Sequence, residues 1–200
     1  KPRILNDFQG VAMPTSAHPA IRRARRAGAE PSIHGNKLWK SSALLIDYLK
    51  KHPPEHRLKV LDVGCGWGVS GIWCAKTFGS QVTCADADPD VFPFLNVASE
   101  LNNVEITPLI SRFEHLSTKQ LSEYDMLIGA DICFWDELTN PVTNMVNRAV
   151  NAGIKHILIA DPERAPFHDM AQRCVERHLA DLIEWQTSAP IKARGAIMII

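Results

Sequence analysis

The stretch Val60-Leu61-Asp62-Val63-Gly64-Cys65-Gly66-Trp67-Gly68 decides the fold class of this chain. Residues 59–63 predict a short apolar strand that carries an acid near its end. Three alternating glycines lead from it into a predicted helix over 69–77. Glycines let a backbone approach a ligand without Cβ clashes, and ligands of open α/β sheets bind beyond the carboxyl ends of the strands. The stretch therefore predicts a ligand-binding turn between a strand and a helix.

The chain on both sides of this turn alternates apolar strands with helices. Further strands are predicted at 81–86, 104–110, 125–130, 156–160, 182–187 and 196–200, and further helices at 38–49, 89–101, 117–121, 141–151 and 166–178. Ser41 and Ser42 are candidate N-terminal caps of the helix at 38–49. Such alternation is typical of a parallel sheet covered on both faces. We therefore expect an α/β, Rossmann-like, doubly wound fold with a mostly parallel seven-stranded sheet and one antiparallel strand near the C-terminal edge.

Charge is unevenly placed along the chain, although the formal net charge is zero. Residues 1–57 carry eleven Lys and Arg against four Asp and Glu, whereas the remaining residues carry eleven against eighteen. Residues 1–36 show no convincing period and contain four prolines. We interpret them as a basic N-terminal arm that buries little, followed by one domain over 37–200. The arginines of residues 22–26 suit a basic helical turn that contacts an acidic partner or the body of the protein itself.

The cysteines and the apolar runs bear on location. Five scattered cysteines form no CxxC pair and no Cys/His cluster with zinc spacing, so we expect reduced thiols, a cytoplasmic protein and no metal site. No apolar run approaches the ~20 residues of a membrane span, and no signal-peptide pattern is visible. We therefore expect no membrane partner. Because the chain begins at Lys1 rather than Met, we also expect native residues upstream.

Two acids at strand ends indicate the class of ligand. A G-x-G-x-x-G dinucleotide site would need glycine at Val69, and the chain contains no phosphate-binding loop. Asp62 would repel a pyrophosphate but attract an amine, and Asp86, at the end of the next strand, can accept both hydroxyls of a ribose. A ligand with a ribose, an amine and no phosphate is predicted, and S-adenosylmethionine (SAM) meets all three conditions. The alternative is a tight strand-to-helix turn without a ligand.

The glycine turn together with Ala85-Asp86-Ala87-Asp88-Pro89 resembles class I SAM-dependent methyltransferases. The likeness covers roughly residues 33–170 and points to the seven-β-strand, METTL-type protein lysine methyltransferases. Within them it is greatest for the branch with the electron-transfer-flavoprotein β-subunit lysine methyltransferase. Three stretches carry it: His34-Gly35-Asn36-Lys37-Leu38-Trp39-Lys40-Ser41-Ser42, Gly129-Ala130-Asp131-Ile132-Cys133-Phe134-Trp135 and Asp161-Pro162-Glu163-Arg164. The branch has glycine at the position of Glu163, which bears on the substrate rather than on the fold or cofactor.

The resemblance implies an N-methyltransferase that uses SAM, with a lysine of a protein as the expected methyl acceptor. The residues expected to bind the cofactor are Trp39, Asp62, Gly64, Cys65, Gly66, Asp86, Ala87, Phe113 and Ala130. Within this set, Trp39 is predicted to be a lid over the methionine part of SAM. The alternative is that Trp39 is a core tryptophan.

Methyl transfer needs mainly alignment of the nucleophile with the methyl group in a site closed to water. A lysine must also lose its proton first, which desolvation favours. Asp131, after the fourth strand, is the candidate catalytic residue that orients the incoming amine; alternatively it caps the following turn. For the substrate, Phe134 is predicted to form an apolar wall. Asp161 and Arg164 are predicted to form an ion pair that shapes the substrate channel, or merely to close the loop after the fifth strand.

Two other functions stay open at this point. The basic arm would suit RNA through phosphate contacts, although no recognised RNA-binding module accompanies it. A small-molecule or RNA methyltransferase is therefore the alternative. A scaffold without turnover is a third possibility, against which the intact Asp62, glycines and Asp86 argue. His34, His115 and His168 lack partners at metal-ligand spacing and are interpreted as solvated or structural.

Overall fold

A seven-stranded sheet organises the chain in the computed structural model, which describes residues 3–32, 34–35, 37–54 and 57–200. The strands are β1 (Leu5–Phe8), β2 (Val11–Pro14), β3 (Lys59–Val63), β4 (Gln81–Asp86), β5 (Ile106–Ile110), β6 (Met126–Ala130), β7 (His156–Asp161), β8 (Asp181–Thr187) and β9 (Ala193–Ile199). The helices are α1 (Pro19–Arg26), α2 (Ser41–Lys51), α3 (Val69–Phe78), α4 (Phe92–Leu101), α5 (Thr118–Leu121), α6 (Thr139–Asn151) and α7 (Ala165–His178). Within the described chain, no helix combines the length and apolar character that a membrane span requires.

The strand order of the large sheet is β5-β4-β3-β6-β7-β9-β8. β3, β4, β5, β6 and β7 run parallel, whereas β9 lies antiparallel to both β7 and β8. Helices α2, α3 and α4 cover one face, and α5, α6 and α7 cover the other. The expected doubly wound α/β fold, with one antiparallel strand next to the C-terminal edge, is confirmed.

Strand β3 shows why both faces of the sheet are covered. Its side chains alternate between faces, so Val60 joins the core beneath α2, α3 and α4, while Leu61 and Val63 join the opposite core. Both neighbours of β3 run parallel to it, with β4 on one side and β6 on the other. The chain therefore winds in opposite directions from β3, and a crevice is expected at the carboxyl ends of β3 and β6.

The described part of residues 1–36 is packed on the body, so the prediction that this segment buries little is wrong. β1 and β2 form an antiparallel hairpin that was not predicted from the sequence, and Met13 and Ile21 are fully buried. The Asn102 side chain after α4 accepts the Ala12 N–H at 2.9 Å and donates to the Ala12 carbonyl at 2.8 Å. A four-residue hairpin strand is too short for a periodic pattern to reveal it.

Helix α2 is capped by a residue from the distant loop after β6. The prediction that Ser41 and Ser42 cap it is wrong, because Lys40 occupies the N-cap position and no side chain caps the helix locally. Instead, the Ser41 N–H donates to Oδ2 of Asp131 at 3.0 Å. A carboxylate at a helix N-terminus satisfies an otherwise unpaired N–H and is favoured by the helix dipole.

Glu163 adopts a backbone conformation that favours glycine. Its φ angle is +72°. A side chain in this left-handed region costs about 1–2 kcal/mol. A glycine at this position would avoid that cost.

Replacing Glu163 by Gly should stabilise the protein by about 1 kcal/mol, because glycine adopts positive φ without a Cβ clash. For a chain of this size, the melting temperature should rise by about 2–4 °C, measured by calorimetry. Glu176→Gly, on the exposed face of α7, is the matched control and should lower stability by about 1 kcal/mol. Equal losses in both variants would show that the 3.6 Å contact between Glu163 and His168 outweighs the backbone strain.

Candidate functional site

A pocket of about 360 Å³ opens at the carboxyl ends of β3, β4, β5 and β6. Its volume lies within the range of about 300–1,000 Å³ that is typical of ligand pockets. The wall includes every residue expected to bind the cofactor: Trp39, Asp62, Gly64, Cys65, Gly66, Asp86, Ala87, Phe113 and Ala130. Asp131 and Phe134 also line it. The fold thus brings the predicted positions together at its switch point.

The three glycines of the turn differ in how much space surrounds them. Gly64, Gly66 and Gly68 have φ angles of +60°, +52° and +78°. A Cβ on Gly68 would collide with Leu95 Cδ1, and one on Gly64 would lie 2.7 Å from Ile132 Cγ2. A Cβ on Gly66 would meet no atom of the described chain within 4 Å. Packing therefore requires two of the glycines, and the space above Gly66 is open to a ligand.

Asp62 is a buried carboxyl group on the pocket floor. It is 3% exposed, and its Oδ2 accepts the Gly71 N–H at 2.9 Å. Burial raises the pKa of Asp62 to about 7, assisted by the charge of Asp86 and opposed by the hydrogen bond from Gly71. A cationic group bound in the pocket would favour the ionised carboxylate.

Asp86 anchors the glycine turn from the end of β4. Its Oδ2 accepts the Gly66 N–H and its Oδ1 the Asp88 N–H, both at 2.9 Å. Burial raises the pKa of Asp86, and the two backbone hydrogen bonds oppose that shift. Each carboxylate oxygen has two lone pairs, so the group that holds the turn can still accept hydroxyl groups from a ligand.

The segment before α2 closes one side of the pocket. The Ser32 N–H donates to Oδ2 of Asp88 at 2.7 Å, and the Trp67 indole N–H donates to the Gly35 carbonyl at 2.7 Å. A Cβ on Gly35 would lie 2.7 Å from Val91 Cγ1, so this glycine allows the close approach. The segment is therefore held against both the glycine turn and the turn after β4.

Four rings form a cluster at the pocket wall, here called the aromatic cluster: His34, Trp39, Phe134 and Trp135. The His34 ring centroid lies 4.0 Å from Phe134, 4.7 Å from Trp135 and 5.8 Å from Trp39. The indole N–H of Trp39 donates to the His34 carbonyl at 2.7 Å, and Trp39 is half-buried on the wall. Trp39 is therefore a pocket residue and not a core tryptophan.

His34 lies on the pocket wall. The sequence had suggested only a solvated or structural role for it. No described group forms a hydrogen bond with its Nδ1, which is buried. Burial lowers the pKa of His34, and the charges of Lys37 and Arg164 lower it further. These effects favour the neutral imidazole. The signal available in the sequence was its place in the stretch 34–42 that carries the family resemblance.

Arg164 joins two buried carboxylates beside the pocket, a group called here the Arg164 triad: Asp131, Asp161 and Arg164. Nη1 of Arg164 lies 2.9 Å from Asp131 Oδ1 and 2.8 Å from Asp161 Oδ2. Burial raises the pKa of Asp161 to about 6, while Arg164 opposes the shift. With both carboxylates ionised, the guanidinium balances only one of them, and the triad has an excess negative charge.

Only Asp131 of the triad reaches the wall formed by the described residues. Asp161 is fully buried behind it, so an effect of Asp161 on a substrate would pass through Arg164. The hydrogen bonds described for the Asp131 side chain go to Ser41 and Arg164 and not to the following turn. Asp131 thus caps α2 instead of the turn that the sequence suggested.

Several residues of the pocket wall were not predicted from the sequence. They lie mainly in loops whose positions depend on distant contacts rather than on a local period: Ser32, Gly35, Lys37, Leu38, Ser42, Ser111, Arg112, Trp135 and Leu138.

The chain matches the sequence model of a known family and is similar to several known proteins. The sequence model of the family described as "Methyltransferase small domain" matches residues 31–130, half of the chain. The electron transfer flavoprotein beta subunit lysine methyltransferase of Xenopus laevis is 28% identical over 155 residues, which cover 77% of this chain and 61% of that protein. Its counterpart from Danio rerio is 27% identical, over 77% of this chain and 58% of that protein. The chain thus spans about three fifths of the length of these relatives.

Solved structures share the fold. The tRNA (uracil-54, C5)-methyltransferase of Pyrococcus abyssi, determined in complex with S-adenosyl-L-homocysteine, superposes with a TM-score of 0.62. The match covers 98% of this chain and 43% of that one at 14% identity. At this identity the likeness establishes the architecture alone.

Proposed function

The chain belongs to the methyltransferase small domain family, and from this premise we propose that it transfers a methyl group from SAM to the side-chain amine of a lysine in a protein. SAM supplies an activated methyl group on its sulfonium. The observation that carries the acceptor assignment is that the carboxyl group of Asp131 lines the pocket beside the aromatic cluster. An ammonium group is the complement of such a site.

The pocket residues fit SAM. Asp86 retains lone pairs for the two ribose hydroxyls, and ionised Asp62 offers a counter-charge to the amine. The open space above Gly66 allows close backbone approach. The remaining residues assigned to the cofactor wall are Trp39, Gly64, Cys65, Ala87, Phe113 and Ala130.

The acceptor amine would enter beside Asp131. That carboxylate can accept hydrogen bonds first from the ammonium and then from the neutral amine, which fixes the direction of the nitrogen lone pair. Phe134 supplies an apolar surface on the pocket wall, and desolvation of the amine favours loss of its proton to solvent. Asp161 supports this arrangement by holding Arg164 through its backbone and side-chain hydrogen bonds.

The names of the lysine methyltransferase relatives support a protein substrate. A small-molecule or RNA acceptor is the alternative. Of these two, the exposed arginines on α1 favour RNA. We place the protein in the cytoplasm, which the five free cysteines support.

Two experiments test this proposal. Calorimetry should detect binding of SAM and S-adenosylhomocysteine but not of NAD or ATP. Incubation with methyl-labelled SAM and a cell lysate should then give label that protease releases and RNase leaves intact, with mass spectrometry locating it on lysine. Binding of NAD without SAM would overturn the cofactor assignment, and label that is lost to RNase would overturn the protein acceptor.

Binding of SAM should release a proton through Asp62. Because the pKa of Asp62 is about 7, the carboxyl group is roughly half protonated at pH 7, and a bound cation lowers its pKa. Calorimetry in phosphate and Tris should therefore reveal release of up to roughly half a proton at pH 7 and none at pH 8.5, where Asp62 is already ionised. Asp62→Asn should abolish the buffer dependence; release that persists in it would assign the proton to another group.

The exposed arginines of α1 should serve substrate docking rather than cofactor binding. All four arginines of α1 are exposed. Arg25 is left unchanged because its guanidinium lies 5.6 Å from the Phe94 ring centroid. Substituting Arg22, Arg23 and Arg26 by Ala should raise KM for an acidic protein acceptor at least about threefold, with SAM affinity retained. Added salt should shrink the difference. Loss of thermal stability with unchanged kinetics would show that the three arginines act only in packing.

A further inference from the structure

Lys37 places a primary amine of the chain itself on the pocket wall. Of the residues that the structure describes, it is the only lysine that lines the pocket, and it is exposed. Its Nζ lies 3.9 Å from the centroid of the Trp39 ring, within cation–π distance. The ammonium therefore already lies against a ring of the aromatic cluster.

Lys37 lies next to the part of the wall that is proposed to receive the acceptor amine. The Trp39 ring beneath Lys37 stacks at 5.8 Å on His34, which in turn stacks at 4.0 Å on Phe134. The Arg164 guanidinium lies 5.6 Å from the same Trp39 ring and pairs with Asp131. Lys37 also influences the pKa of His34, which places its charge close to the cluster.

We propose that Lys37 is a site of self-methylation, an inference that rests on the proposed function. The Lys37 ammonium loses one proton to water, and the Nζ lone pair forms a bond to the methyl carbon of SAM. The carbon–sulfur bond breaks, its electron pair returns to sulfur, and S-adenosylhomocysteine leaves. Because donor and acceptor share one molecule, the reaction has the advantage of a high effective concentration.

The modification is compatible with the structure. Methylation of an amine keeps its positive charge, so the contact with the Trp39 face is retained. The flexible four-carbon stem of lysine allows Nζ to move from the Trp39 ring toward the substrate side of the pocket without a change in the backbone.

Intact-mass spectrometry of the purified protein, incubated with SAM and no other acceptor, tests the proposal. The mass should increase by one or more CH2 units, and peptide mapping should place the change on Lys37. Lys37→Arg, which keeps the charge over Trp39, should abolish the increase. Lys40→Arg, on the same segment but outside the pocket wall, should leave it intact. Tenfold dilution of the protein at an unchanged SAM concentration should not change the fraction modified at a given time, because the reaction is intramolecular.

The outcomes separate this inference from the proposed function. Labelling of lysate proteins without any change at Lys37 would overturn self-methylation and leave the methyltransferase assignment standing. A mass increase that persists in Lys37→Arg, or that maps elsewhere, would likewise overturn it. Bound SAM with no transfer to the chain or to the lysate would instead overturn the proposed function.

Discussion

Replacing Asp131 by Asn should lower the turnover of methyl transfer by about two decades, because both positioning and deprotonation of the acceptor amine suffer. The substitution keeps the shape, and asparagine tolerates the φ angle of +59° at this position. It removes the excess negative charge of the Arg164 triad, leaving Arg164 balanced by Asp161 alone. SAM affinity, measured by calorimetry, should change little.

The same substitution should also reduce stability, and the two effects can be separated. Asp131 accepts hydrogen bonds from Ser41 and Arg164 on different oxygens, but asparagine has only one oxygen. One buried donor is left unpaired, at a cost of about 1–3 kcal/mol. Turnover should therefore be measured well below the melting temperature of the variant.

High pH and a neighbouring control complete the test of Asp131. The turnover deficit should shrink as pH rises, because more of the acceptor lysine is then neutral without assistance. Asp136→Asn, exposed in the turn after Trp135, should leave turnover unchanged. Near-normal turnover in Asp131→Asn would remove it from the chemistry, and a loss of SAM binding that explains the whole defect would place it in the cofactor shell.

Replacing Asp86 by Ala should weaken SAM binding at least about tenfold while the protein stays folded. Two charge-assisted hydrogen bonds to the ribose hydroxyls contribute about 1.5–3 kcal/mol each, and ~1.4 kcal/mol corresponds to one decade of affinity. The variant also leaves the Gly66 N–H without its acceptor. The glycine turn should therefore lose order in addition to the direct contacts.

Calorimetry with S-adenosylhomocysteine, alongside thermal melting, measures the Asp86 effect. Asp90→Ala is the matched control, since Asp90 lies in the same turn, accepts the Glu30 N–H at 3.2 Å and is outside the pocket wall. Its affinity should stay within about twofold of the parent, because its hydrogen bond is exposed and does not touch the ligand. Unchanged affinity in Asp86→Ala would mean that Asp88, or neither acid, holds the ribose.

The amino-acid sequence by itself determined the alternation of strands and helices and the class of turn after β3. Apolar strands such as Lys59–Val63 and Gln81–Asp86 were predicted with the bounds that the structure has, because a strand buried on both faces is apolar throughout. The positions of Asp62 and Asp86 at strand ends also followed from local pattern. Parallel strands bring their carboxyl ends to one edge, so the two acids had to lie near each other.

Only the tertiary structure decided which residues complete the pocket and what each carboxylate contacts. Asp131 meets Ser41 across 90 positions of the chain, and His34 stacks on Phe134. The β1–β2 hairpin packs on the body through Asn102. Such contacts depend on how helices and loops pack against the sheet. The periodicity of a sequence indicates only which face of each helix or strand is buried. For the same reason, the sequence did not predict that Lys37 lies on the pocket wall, and only the fold places it there.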